Sequence, residues 1–172
     1  MMRHNHTWRE HRVGRLALLL ALAVSTDIAR ASAPPDQYIL SPTTVIDRRT
    51  GLTWQRNPPA TAVGWAAANG TTGTTPTPGL CAATLGVGWR LPTVREIETL
   101  VDVTTGWPAL DTTAFPGTQS AGYWTSSCYA GQSGGCGTGT PAQVWILNFG
   151  LGQPTAVSTA ATQEFYRCVR PG

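Results

Sequence analysis

Leu91-Pro-Thr-Val-Arg-Glu-Ile-Glu-Thr-Leu-Val101 is the stretch on which the reading of this chain turns. Thr93 stands three residues before Glu96, the spacing of a capping box, in which each side chain satisfies a backbone N–H that the first helical turn leaves open. Val94, Ile97, Leu100 and Val101 then recur at helical spacing and define one apolar face. Glu96 and Glu98 are two apart, leave the helix in different directions and do not form a carboxylate pair. They read as a charge favoured at a helix start and a residue on a solvated face.

Downstream the pattern changes period. Gly122-Tyr-Trp-Thr-Ser-Ser127 reads as a strand, and residues 143–149 alternate Val144, Ile146 and Asn148 against Trp145, Leu147 and Phe149. Both faces of that second strand are mostly apolar, which predicts a central position in a sheet. Between them, residues 128–141 form a loop with five glycines; residues 150–152 turn the chain and residues 164–170 read as a final strand. Upstream, residues 38–46 read as one strand interrupted at Pro42, and residues 47–51 turn into a second strand over 52–55. Pro58-Pro59 can open a helix that residues 60–68 continue until Asn69-Gly70 stops it, and residues 71–79 read as a polar loop. Two short helices and several strands make the expected class α+β.

The first thirty-one residues stand apart. Arg3, Arg9, Arg12 and Arg15 precede the nine-residue apolar run 16–24, and Ala29-Arg-Ala31 has the small-x-small form of a signal-peptidase site. The expected division is therefore a signal peptide over 1–31, an N-terminal lead and first strand over 32–46, and a domain over 47–170. The expected location is the periplasm or the extracellular space, with no stable membrane anchor after cleavage. All three histidines (His4, His6, His11) lie in the leader, and the chain has no lysine. Beyond residue 31 there remain seven arginines and seven carboxylates, so the positive balance of the whole chain belongs to the leader and does not indicate a nucleic-acid partner.

These absences exclude much chemistry. A serine or cysteine nucleophile has no histidine or lysine to act as its base, and a phosphate-binding loop has no lysine. Carboxylate chemistry of the glycosidase kind stays open on Asp47, Glu96, Glu98, Asp102, Asp111 and Glu164, although no spacing singles out a pair. Cys81, Cys128, Cys136 and Cys168 are even in number in an exported chain and read as two disulfides rather than a metal site. Gln153-Pro-Thr155 lacks the acid that a calcium-dependent sugar site needs. No catalytic residue, metal or cofactor is expected.

Several blocks resemble a known family. They are Thr50-Gly-Leu-Thr-Trp-Gln55, Trp65 with Ala67, Trp89-Arg-Leu-Pro-Thr93 followed by Glu96 and Leu100-Val-Asp102, Phe115-Pro116, Tyr123-Trp-Thr-Ser-Ser127, residues 144–150, and Arg167-Cys-Val-Arg170. In order and spacing they are similar to the domain named after the C-terminal part of the Legionella collagen-like adhesin (DUF1566). The resemblance implies a C-type-lectin-like fold, with two helices packed on a small twisted antiparallel sheet whose terminal strands pair. It also implies Cys81 with Cys168 and Cys128 with Cys136, one of three possible connectivities. In the adhesin the domain trimerises and binds sulfated glycosaminoglycans, so a homo-oligomer and a glycan are both implied partners. This chain has no collagen-like repeat to drive trimerisation, and being neutral beyond its leader it would need a local arginine cluster for a sulfated ligand.

The expected function is a non-enzymatic binding module for adhesion or for carbohydrate or surface recognition. The alternative is an envelope structural or assembly subunit that binds protein. The expected contact surface is the 128–141 loop with neighbouring strand ends, around Tyr129, Gln132, Gln143 and Asn148, with Trp107 as an exposed loop tryptophan. Trp54, Trp65, Trp89 and Trp124 are expected in the core, and Arg90, Arg167 and Arg170 in ion pairs with Glu96 or Asp102.

Overall fold

β-branched and aromatic residues on either side of the 48–51 turn build the first sheet. β1 (Tyr38–Leu40), β2 (Thr44–Asp47) and β3 (Leu52–Gln55) run antiparallel in sequence order, and the last strand, β9 (Val169–Pro171), pairs with β3. The computed structural model describes residues 33–34, 36–71, 76–132 and 140–172. The register aligns Val45, Trp54 and Val169 in one row across the sheet, and all three are fully buried. The single interrupted strand expected over 38–46 is instead two strands. The chain folds back through Pro42, Ser41 N–H donates to the Thr44 carbonyl, and Ile39 sits opposite Ile46. Proline has no N–H to give to a ladder, so it suits the bend better than a strand interior.

Among the described residues three short helices follow in place of the expected two: α1 (Trp65–Asn69), α2 (Leu80–Leu85) and α3 (Val94–Glu98). The helix expected from Ala60 starts only at Trp65, because Val63 exchanges both backbone hydrogen bonds with Glu164 and is held extended. The ends of the expected 71–79 loop pair as a small ribbon of β4 (Gly70–Thr71) and β5 (Thr77–Pro78). α3 is capped as its sequence requires: Thr93 Oγ1 accepts from the Glu96 N–H, and Glu96 Oε2 accepts from the Thr93 N–H at 2.7 Å.

The second main sheet is antiparallel with order β6 (Gly122–Cys128), β7 (Gln143–Asn148), β8 (Gln153–Ser158). β7 is central, as its two apolar faces require. β8 escaped sequence reading because its residues, Gln-Pro-Thr-Ala-Val-Ser, lack a run of large apolar side chains. The expected final strand over 164–170 is regular only at its end. Glu164 and Phe165 make isolated bridges to Val63 and Tyr123, and only Val169–Pro171 joins a sheet. Separate antiparallel sheets and short helices make the molecule α+β.

This second sheet divides the interior. Tyr123, Leu147 and Phe149 pack on one side with Ile97, Trp54 and Phe115. Trp124, Val144 and Ile146 pack on the other with Trp65, Leu91 and Tyr166. The polar ends of two indoles are satisfied inside: Trp124 Nε1 donates to the Val63 carbonyl (2.7 Å) and Trp65 Nε1 to that of Thr125 (2.8 Å). Cys81 in α2 is disulfide-bonded to Cys168 beside β9, the outer pairing that the family resemblance implies. Cys128 is also disulfide-bonded, but its expected partner, Cys136, lies outside the described residues.

Candidate functional site

The base of the 128–141 loop is built by backbone pairing. Tyr129 N–H donates to the Gln143 carbonyl, and Gln132 N–H to that of Tyr129. Gln132, expected at the contact surface, is instead buried. Its amide spans the loop: Oε1 accepts from the Gln143 N–H (2.5 Å) and Nε2 contacts Cys128 Sγ (2.8 Å). A side chain so committed braces the base of the loop. The central part of the loop, residues 133–139, lies outside the described residues.

Asn148 is not beside Tyr129 and Gln143. It closes the opposite end of β7, about 17 Å away at strand rise, where its Oδ1 accepts from the Gly150 N–H. Trp107 belongs to that far end too. The Ala109 N–H donates to the Phe149 carbonyl, which docks the 102–110 loop on the β7–β8 turn. Trp107 is 65% exposed on that loop, and Val103 on the same loop and Leu151 on the turn are similarly exposed. The five expected contact residues therefore divide between two ends of one sheet, because strand alternation says which face a residue occupies but not which end it shares with a loop.

Sequence reading missed Trp145. It lies on the same sheet face as Leu147, and the register places Pro154 and Ala156 of β8 on that face too. α3 packs there, but five helical residues span only about 7–8 Å. Leu147 is fully covered and Trp145 only half. The result is a groove of about 340 Å³ lined by Val94, Arg95, Glu98, Trp145 and Pro154. The Tyr129 ring stands at 85° to the indole with centroids 5.3 Å apart, so groove and loop base meet in one aromatic corner. Arg95 projects almost entirely into solvent, with its guanidinium 4.0 Å from the Glu98 carboxylate. The strict alternation along β7 was the available signal, but it placed Trp145 on an apolar face without saying how far α3 would cover it.

The other charged residues are mostly committed to structure. Arg90 makes a two-pronged pair with Glu96 (2.8 and 2.7 Å), and this pairing, foremost, holds the Glu96 carboxyl below its ordinary range. Arg167 does not find the carboxylate expected for it. It is fully buried, donates to the carbonyls of Gln55 (2.5 Å) and Arg56 (2.7 Å) and to Thr118 Oγ1 (2.6 Å), and lies over the Phe115 ring. Burial pulls its pKa down to about 10, which still leaves it cationic at neutral pH. Arg170 also has no carboxylate in its described contacts; it stacks over Trp89. Trp54, Trp65 and Trp124 are buried, whereas Trp89 is half-buried against the second core cluster.

Asp47 is buried in its turn, accepting from Gln37, Thr50 and the Arg49 N–H. Asp102 and Asp111 cap nearby turns through Thr104 and Thr113. Burial raises the pKa of Glu164, whose carboxylate lies beside Gly122. Among the described residues no group of three or more histidines, cysteines or carboxylates could hold a metal ion, and no helix is long and apolar enough to cross a membrane.

No curated protein and no solved structure matches the chain. A family model does, that of the Lcl C-terminal domain, over residues 43–170. That match spans most of the sequence and agrees with the blocks around Trp89, Tyr123 and Arg167; the chain belongs to the Lcl C-terminal domain family.

Proposed function

We propose that this chain is an exported, non-enzymatic recognition module of C-type-lectin-like fold, acting in adhesion to a surface. The observation that carries this is the aromatic corner where Trp145 and Tyr129 meet beside the α3 groove. A half-covered tryptophan beside a glycine-rich loop is the kind of anchor that dominates binding energy at an interface. Family membership supports adhesion, and the absence of histidine and lysine beyond residue 31 supports binding rather than turnover. The leader over 1–31 supplies export in this reading, and Tyr129 and Gln143 stay in the contact surface while Gln132 braces it.

The test is cell-surface adhesion of the processed protein with Trp145→Ala and Tyr129→Ala. Each should lower adhesion, measured well below the variant's melting temperature, by more than its loss of stability accounts for. Equal loss of adhesion and of stability would reject the assignment, and turnover abolished by a single carboxylate change would restore the enzymatic alternative.

A second reading, an envelope assembly subunit that binds protein, is favoured by the far end of the sheet. Val103 (67%), Trp107 (65%) and Leu151 (55%) expose large apolar side chains there. Pull-down of envelope proteins that is lost on Leu151→Asp but kept on Trp145→Ala would select this reading.

A further inference from the structure

The α3 groove has a composition that selects among ligands. Its floor is the Trp145 indole with Pro154 beside it, and its rim carries Arg95 and Glu98, one charge of each sign. The two rim groups are 4.0 Å apart and both reach solvent, Arg95 almost completely, so each keeps hydrogen-bonding capacity for another partner. Most backbone donors nearby are spent or missing. Val94 N–H donates to Ser127 Oγ (2.9 Å), Glu96 N–H to Thr93 Oγ1, Ile97 N–H to the Thr93 carbonyl, and Pro154 has none. Of the N–H groups of Val94 to Ile97 that of Arg95 alone lacks a partner, and Glu98 at the rim repels a sulfate or carboxylate that would approach it.

We propose that this groove takes an uncharged pyranose ring of a glycan; the inference rests on the recognition-module reading above. Such a ring has an apolar C–H face that stacks on an indole and an equatorial edge of hydroxyls. Hydroxyls both donate and accept, and the rim provides donors from Arg95 and an acceptor from Glu98. The volume of about 340 Å³ falls within the range of small-ligand sites, roughly 300–1,000 Å³. A peptide adding to a sheet would need unpaired main-chain groups, and the groove floor lies on the face of the β6–β7–β8 sheet rather than along its free β8 edge. A sulfated polyanion would need net positive charge, which the Arg95–Glu98 pair cancels.

The experiment is saturation-transfer NMR and affinity measurement on the intact processed protein. The probes are neutral oligosaccharides (gluco-, manno- and galacto-configured), heparin as the sulfated comparison, and an extended peptide library. At least one neutral oligosaccharide should bind, with saturation strongest on the ring protons of one face and an affinity nearly independent of salt. Trp145→Ala should weaken it about tenfold, while Trp107→Ala should not. Should Trp145→Ala fail to fold, the exposed rim provides a second variant. Glu98→Ala should weaken the neutral sugar several-fold and strengthen heparin, since it leaves Arg95 unopposed. If heparin or a peptide is the ligand lost in Trp145→Ala, or no neutral sugar binds, the inference is overturned. Adhesion that persists in that case leaves the recognition reading standing; loss of both adhesion and all ligand binding removes both.

Discussion

Arg167 shows what a buried cation can do without an anion. Its fork ties two carbonyls of the chain leaving β3 to Thr118 on a different loop, and its face rests on Phe115. Removing it takes the donor from two part-buried carbonyls, leaves Thr118 with only its bond to the Phe115 carbonyl, and opens a cavity. Arg167→Ala should therefore cost about 3 kcal/mol or more in urea unfolding, and Arg167→Lys should recover only part of this, because a single ammonium cannot span the fork. Glu96 is a second residue with two roles, pairing with Arg90 and closing the capping box. Its folded-state pKa is lowered, so its stabilising contribution is complete above the ordinary carboxylate range and is lost as pH falls through the depressed value. Glu164 has the opposite sign: burial raises its pKa, so its protonation on acidification favours the folded state. Glu96→Gln should accordingly be less stable than wild type at neutral pH, with the gap narrowing on acidification. A constant gap in pH-dependent denaturation would contradict the linkage.

At the scale of elements, short helices depend on their ends and on close backbone approach. α3 holds its place by the Thr93 cap, whose removal in Thr93→Ala should cost about 1 kcal/mol by thermal denaturation. α1 and α2 meet where Gly79 lies against the backbone of Ala68 and Asn69, and a Cβ there would come within 2.5 Å of the Ala68 carbonyl oxygen. Gly79→Ala should destabilise by about 1–3 kcal/mol through overpacking, although its own backbone conformation would accept alanine. The central strand was legible from alternation, since Val144, Ile146, Leu147 and Phe149 are all buried. The early helix was not, because local propensity over 60–64 yields to the long-range pairing of Val63 with Glu164.

For the whole molecule, the chain is closed by two devices that act across most of its length: β9 pairs with β3, and Cys81 is bonded to Cys168. With a sequence separation of 87 between the two cysteines, the cross-link should contribute about 4–5 kcal/mol in the chain-entropy picture. Cys81→Ala/Cys168→Ala should lose stability of that order by chemical denaturation, and an unchanged midpoint would show that β9 pairing alone closes the fold. Local chemistry in the sequence determined the α3 cap, the 48–51 turn, the central apolar strand and membership of the family, because each depends on residues close in the chain or on a distinctive block. Tertiary structure alone decided that Gln132 is a brace, that Arg167 lies buried without a carboxylate, and that Asn148 and Trp107 belong to the far end of the sheet. It also decided that α3 stops short of covering Trp145. The physical reason is that coverage and neighbourhood come from how separate elements stack, and the residues involved are dozens of positions apart with no periodic pattern linking them.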